Sequence, residues 1–343
     1  MLSLFSFDWL FQGLENYRYI SIRSITVKII SVVLVFAFVK SESDYLGYAL
    51  LNALGLSANY IFNAFYAKKI IGIDLRGLNI SRHFPVIVRF ALISFATSLY
   101  LGMDKLFLGF MSGDYYVGIY TPAERIARLS LSLVAALSAV LFPRLSNTFN
   151  RGDAQGAKVM ISDSLHALLL IAIPIFVAIE LLAEPLILLV SGKAFVSAIF
   201  TLRIEALIII PVTIANVAGI QVLVGSGKED KYLISILSGA AAFIVTGLLL
   251  IPSMKQNGAA ISLASAETVG AILEIYFGRS YFRGIKLTRW LISIIFSSAL
   301  MAGLILIFLT LHLSSLVLVL TSFLCGVVLY FGKRQNNHIF PGG

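Results

Sequence analysis

The sequence predicts an all-α protein, a polytopic transmembrane helical bundle of about ten spans. Three observations predict it. Of 343 residues, 59% are hydrophobic and 13% charged, against about 25% charged in soluble domains, and mean hydropathy is +0.94. The apolar residues fall in runs that match the roughly 20 helical residues a bilayer requires, and only short loops part them. The basic residues then collect in every second loop, as the positive-inside rule expects.

Met1 to Leu14 is apolar but too short to cross, and reads as the tail of a span. Full spans are expected at Ile22–Val39, Tyr45–Tyr66, Phe84–Met103, Val117–Phe142, Ile161–Leu182, Val196–Val224, Tyr232–Ile251, Ala259–Phe277, Trp290–Leu311 and Ser315–Phe331. Pro174 and Pro211 lie inside two of these. Each removes a backbone donor and bends its helix, which membrane helices tolerate when neighbours re-satisfy the backbone. Ala183 to Val190 reads as a separate short helix at the surface, cut off by Ser191, Gly192 and Lys193.

Loops on one side carry Arg18, Arg23, Lys28, Lys68, Lys69, Arg76, Arg82, Arg89, Arg144, Arg151, Lys158, Lys228, Lys231, Arg279, Arg283, Lys286, Arg289, Lys333 and Arg334. The other side has only Lys40, Lys105, Lys193 and Lys255, a bias of 19 to 4. The first side is therefore expected to be cytoplasmic, with both termini there. The longest loop, Ala67 to His83, is basic and reads as a linker between two helical bundles. The net charge of +9 is thus explained by topology and implies no nucleic acid.

The single cysteine, Cys325, excludes an internal disulfide and a cysteine metal site. His83, His166, His312 and His338 are too scattered to form a ligand cluster. No Ser/His/Asp set, phosphate loop or HExxH occurs, so no catalytic residue, metal or cofactor is expected. Met1 is followed by no basic n-region, so no cleavable signal is expected.

The stretch with chemical content is Tyr115 to Asn150. At 3.6 residues per turn, Arg125, Arg128, Ser132, Ala135, Ala136 and Ala139 share one stripe roughly 100° wide, and Ile126, Leu133, Leu137, Val140 and Leu141 lie elsewhere. A charge at the centre of a span costs at least about 2.5 to 3.5 kcal/mol, so it faces a cavity or a partner. Small residues beyond it leave room for a ligand or a neighbouring helix. One reading is an anion site; the other is local, with Glu124 pairing Arg128 at i,i+4 and Arg125 snorkelling to an interface. Asp104 and Lys105 end a span beside Gly102, either as an interfacial ion pair or as partners in a cavity. Glu267 and Glu274 are i,i+7 and could answer the two arginines across the bundle; the other reading of Glu274 is a place at the cytoplasmic boundary only. Asn216 and Gln221, near Pro211 and Gly219, could serve a sugar or bond a neighbouring helix. Asp163 and His166 read as interfacial.

Several stretches resemble a known family. FDWLFQGLENYRYI, GIYTPAERIARL with VLFPRLS, IPIFVAIELLAEPLILLVSGKAF, QVLVGSGKEDKYL and NGAAISLASAE, in that order, are similar to O-antigen flippases. These are polysaccharide transporters of the multidrug/oligosaccharidyl-lipid/polysaccharide exporter superfamily. The resemblance implies a partial two-lobe transporter fold in the bacterial inner membrane. Residues 1–66 would be the end of one span and two further spans of an N-terminal lobe, and 67–83 the cytoplasmic linker. Residues 84–282 would be a six-span C-terminal lobe, and 283–343 two accessory spans and a cytoplasmic tail. About four leading spans of the family pattern have no counterpart, which implies a truncated frame or an internal Met1.

The implied substrate is an oligosaccharide on undecaprenyl pyrophosphate, moved to the periplasmic leaflet by alternating access. Arg125 and Arg128 would hold its diphosphate, since Arg forks match phosphate oxygens, with Glu124, Asp104, Lys105, Asn216, Gln221 and Glu267 as cavity or charge partners. An O-antigen polymerase and chain-length proteins are further implied partners, with membrane lipid around the whole. The rivals are a drug/cation antiporter of the same superfamily, which needs buried carboxylates that the arginines here outnumber, and an inactive truncated remnant. A membrane glycosyltransferase or polymerase ranks below them, because the long periplasmic loop it requires is missing.

Overall fold

The structure, a computed structural model, describes residues 7–41, 44–70, 80–285 and 288–310. Every described element is a helix. The expected span Ser315–Phe331, with Cys325, lies outside the described residues, as do residues 71–79 of the linker. Six helical runs among the described residues are long and apolar enough to cross a membrane, which makes this a multi-pass membrane protein. The chain divides into two compact units, Met1–His83 and Phe84–Gly343.

The first unit holds α1 (Asp8–Gly13), α2 (Tyr17–Phe38) and α3 (Tyr45–Ile70). The side chain of Asn16 accepts the Tyr19 amide and starts α2. Phe11, Tyr19 and Tyr66 stack at 4.4 to 5.5 Å and tie the three helices together. Gly55 allows α3 to lie against Ser31 of α2, the small-residue contact that membrane helices favour. Arg23, expected in a loop, is instead buried within α2. The burial is possible because Asp8 pairs with it at 3.0 Å and the Asn63 side chain accepts from it.

The second unit holds α4 (Ile80–Ser112) from Phe84 onward, α5 (Asp114–Asn150) and α6 (Ala154–Val190). At 1.5 Å per residue, the 37 residues of α5 and of α6 each extend about 55 Å, beyond a hydrocarbon core of about 30 Å. The helices thus outrun the apolar windows read as spans. Ala183 to Val190 is not a separate surface helix. It continues α6, and Ala183, Pro185 and Ile187 are buried. Its apolar face packs into the core formed by Ile119 and Ile126 of α5 with Ile161, Leu168 and Ile179 of α6, so a helix end that looks detached in sequence is held by burial. His166 stacks on Trp290 at 4.9 Å, and Asp163 is exposed.

Val196–Val224 is broken into α7 (Ala198–Ala206), α8 (Ile209–Ala215) and a π-helix over Asn216–Val224. The break at 207–208 follows from Pro211, which cannot donate to the carbonyl of Leu207. The wider π turn, a form frequent at functional sites, runs into Gly225. The two spans expected at Tyr232–Ile251 and Ala259–Phe277 form one helical run, α9 (Glu229–Phe282), which reverses at Lys255 (φ 52°, ψ −127°). A Cβ on Gly239 would lie 3.0 Å from the carbonyl of Ala266, whereas 27 residues of straight helix would separate them by about 40 Å. The two limbs are therefore antiparallel. The last described helix, α10 (Thr288–Thr310), packs on α6 through Met301, Ile305 and Leu182.

Candidate functional site

The arginine stripe of α5 is real as a surface. Arg125, Ser132, Ala135 and Ala136 are exposed, with Arg128 and Ala139 half-buried at its edge. The opposite face, with Ala123, Ala127, Val134 and Ser138, is buried. Leu133 does not follow the buried face; with Leu129 it flanks the stripe in the open. Arg125 makes no hydrogen bond or ion pair among the described residues.

Tyr120, Glu124 and Arg128 follow at steps of four, so they line one edge of α5. There they meet Asp104 and Lys105 of α4 and Glu205 of α7. Arg128 Nε donates to Glu124 Oε1 at 2.6 Å, and Lys105 Nζ contacts Glu124 Oε2 at 2.6 Å. Arg128 also lies 3.7 Å from Asp104 Oδ2. The Tyr120 hydroxyl is 2.6 Å from Glu205 Oε1 and 3.0 Å from Asp104 Oδ2. Asp104, Tyr120 and Glu205 are fully buried, while the Arg128 and Lys105 side chains stay 35% and 40% exposed. The polar chain thus runs from a closed interior at Glu205 to an open end at Arg128. Placed in a span, such a cluster holds three carboxylates against two cations, all at short range where low dielectric strengthens each contact.

The structure brings Glu124, Arg128, Asp104 and Lys105 together. Asp104 and Lys105 are not a pair of their own: Lys105 turns to Glu124, and Asp104 accepts the Lys105 backbone amide. Asn216 bonds the carbonyl of Val212 in its own helical run. Gln221 is buried and donates to Ser138 of α5, a bond between helices. Glu267 is half-buried and Glu274 is buried; the latter's carboxyl rests over Gly219 of the π-helix. Tyr120 and Glu205 are additions that sequence reasoning missed. The signal was present, since Glu205 interrupts the apolar run TLRIEALIII. The supposed shortage of buried acids also fails: Asp104, Glu124, Glu205 and Glu274 are all at most 3% exposed. Among the described residues no group of His, Cys, Asp and Glu is arranged to hold a metal.

Comparison with known proteins places these features. Residues 2–149 match the family described as polysaccharide biosynthesis protein, a stretch that ends with α5. A protein of Escherichia coli (strain K12), provisionally named an O-antigen transporter, is 26% identical over 281 residues, covering 79% of this chain and 66% of its own length. A Haloferax volcanii protein, provisionally named a flippase of low-salt glycan biosynthesis, is 26% identical over 185 residues, covering 53% of this chain and 38% of its own length. In structure, the lipid II flippase MurJ in its inward closed conformation superposes with a TM-score of 0.59 at 17% identity, covering 91% of this chain and 65% of that one. The chain therefore spans just under two thirds of the E. coli relative and of the solved flippase. Motif order, family match and helical fold agree: the chain is similar to the O-antigen and polysaccharide flippases.

Proposed function

We propose that the chain moves a lipid-linked glycan between membrane leaflets, with an O-antigen repeat unit on undecaprenyl pyrophosphate carried from the cytoplasmic to the periplasmic side of a bacterial inner membrane. No bond is made or broken in such a step, so the protein acts as a transporter and not an enzyme. One observation carries the reading: Arg125 is an exposed guanidinium, without a partner among the described residues, on a helix face floored by alanine and serine. A diphosphate supplies the paired oxygens that such a fork matches, and the small floor leaves room for the first sugar. Arg128, held by Glu124, is a second donor within one turn. The lipid tail stays in the bilayer while the head group crosses by alternating access. The E. coli relative, named an O-antigen transporter, and the Haloferax relative, named a glycan flippase, support the substrate class.

The test uses the chain's own host. Deleting the gene should strip surface polysaccharide and accumulate lipid-linked units, and the intact gene should restore both. Arg125→Ala should abolish restoration at unchanged membrane level, and Arg125→Lys should restore part of it, because charge is kept while the fork is lost. Full restoration by the Arg125→Ala/Arg128→Ala double variant would refute the anion site.

A further inference from the structure

The buried end of the cluster holds one acid more than its cations can answer. Both Lys105 and Arg128 converge on Glu124, and Arg128 reaches Asp104 only at 3.7 Å. Glu205 makes no ion pair among the described residues, is fully buried, and its Oε2 has no hydrogen-bond partner. The Tyr120 hydroxyl owns one proton yet stands within hydrogen-bond distance of two carboxyl oxygens. It can donate to one; the other contact is a hydrogen bond only if that carboxyl carries a proton of its own. Without that extra proton, a carboxylate oxygen would face a phenol lone pair in a closed, low-dielectric site, an arrangement costly in burial and repulsion alike. With it, three acids, two cations and one proton sum to zero.

We infer that Glu205, Tyr120 and Asp104 form a proton-binding site, linked through Asp104 to Arg128 at the open end. The bound species is a single proton: solvent supplies H⁺, a carboxylate becomes a carboxylic acid, and no other bond changes. The Tyr120 hydroxyl lets the proton sit on Glu205 or, by a concerted shift of both hydrogens, on Asp104. Arg128 opposes the proton by its charge, so drawing Arg128 away from Asp104 tightens proton binding, and loading the proton loosens Arg128. Among the described residues of the helices packed on α7, no other charge competes closely. On α7 itself Arg203 is exposed and faces Glu180 of α6, and α9 meets α7 through the neutral pair Thr201 and Asn257 at 2.7 Å. The inference does not depend on Arg125 or on any substrate.

The experiment is infrared spectroscopy of the purified full chain in lipid nanodiscs. A protonated-carboxyl band should be present at neutral pH and should shift when the protein is made with ¹³C-carboxyl glutamate. Glu205→Gln, which keeps an acceptor for Tyr120, should remove it. Arg128→Ala should retain the band into solution more alkaline by about one pH unit or more, as expected for loss of an opposite charge within 4 Å. A neutral-pH spectrum without such a band, or a band that neither the label nor Glu205→Gln alters, would overturn the site. An unchanged band titration in Arg128→Ala would overturn the linkage. The labelled wild type keeps the proposal testable if Glu205→Gln does not fold, and the spectrum is read without transport, so its outcome is separate from that of the polysaccharide assay.

Discussion

Removing the Glu124 carboxylate should destabilise the second unit more than removing any other charge of the cluster's open end. Glu124 is 3% exposed and accepts from Arg128 and Lys105 at 2.6 Å each. A hydrogen bond to a charged partner contributes about 1.5 to 3 kcal/mol, so the two together set a ceiling of about 3 to 6 kcal/mol. The cations are a third or more exposed, so once released they rehydrate, and solvent screening reduces what the pairs are worth. Arg128 also keeps Asp104 as a partner. The expected cost of Glu124→Ala is therefore about 2 to 3 kcal/mol, at or below the low end of the roughly 3 to 5 kcal/mol of a fully buried broken pair. The assay is reversible unfolding in mixed micelles titrated with SDS. Lys105→Met and Arg128→Met should each cost less than Glu124→Ala, and the Glu124→Gln/Arg128→Met double variant should cost less than the sum of its single changes. Glu124→Ala unfolding with wild-type stability, or additive costs in the double variant, would show that the short contacts do not support the fold and would refute the reasoning.

Gly219→Ala should destabilise by about 1 to 3 kcal/mol, as overpacking does, because the new Cβ would stand 2.7 Å from Glu274 and Tyr232; the same unfolding assay reads it, and Glu274→Ala should offset part of the loss. After replacement of Cys325, cysteines at Arg151 and Arg283 should be shielded from an impermeant thiol reagent in intact cells, and cysteines at Lys193 and Ser253 should label; the reverse pattern would overturn the orientation. Backbone amides of Lys40 and Ser41, with the Ser41 hydroxyl, hold the Asp44 carboxyl below its usual value. A depressed folded value means that the stabilisation is complete above the ordinary carboxylate range and is lost as pH falls through the lower folded value. Protection of the Lys40 and Ser41 amides against hydrogen exchange, taken relative to the intrinsic rate at each pH, should accordingly fall in acid, and in Asp44→Ala it should be small at every pH.

Much of the architecture is a property of the sequence by itself. Hydropathy sets which segments must be helical, because an unpaired backbone group in lipid is too costly to leave, and the runs of α2, α5, α6 and α10 appear where the apolar residues place them. The arginine stripe on α5 was also legible, since 3.6-residue periodicity alone puts Arg125 and the alanines on one face. What sequence could not decide is what each face meets. Arg23 sits among loop cations in the chain order, yet Asp8 and Asn63, distant along the chain, make its burial tolerable. Ala183 to Val190 joins α6 because a core lies beneath it. Glu205 is one acid in an apolar run until α4 and α5 bring Asp104 and Tyr120 to it. Local propensity and hydropathy act on neighbours in the chain, whereas the partner of a buried charge is chosen by whichever helix packs against it, and only the tertiary structure holds that choice.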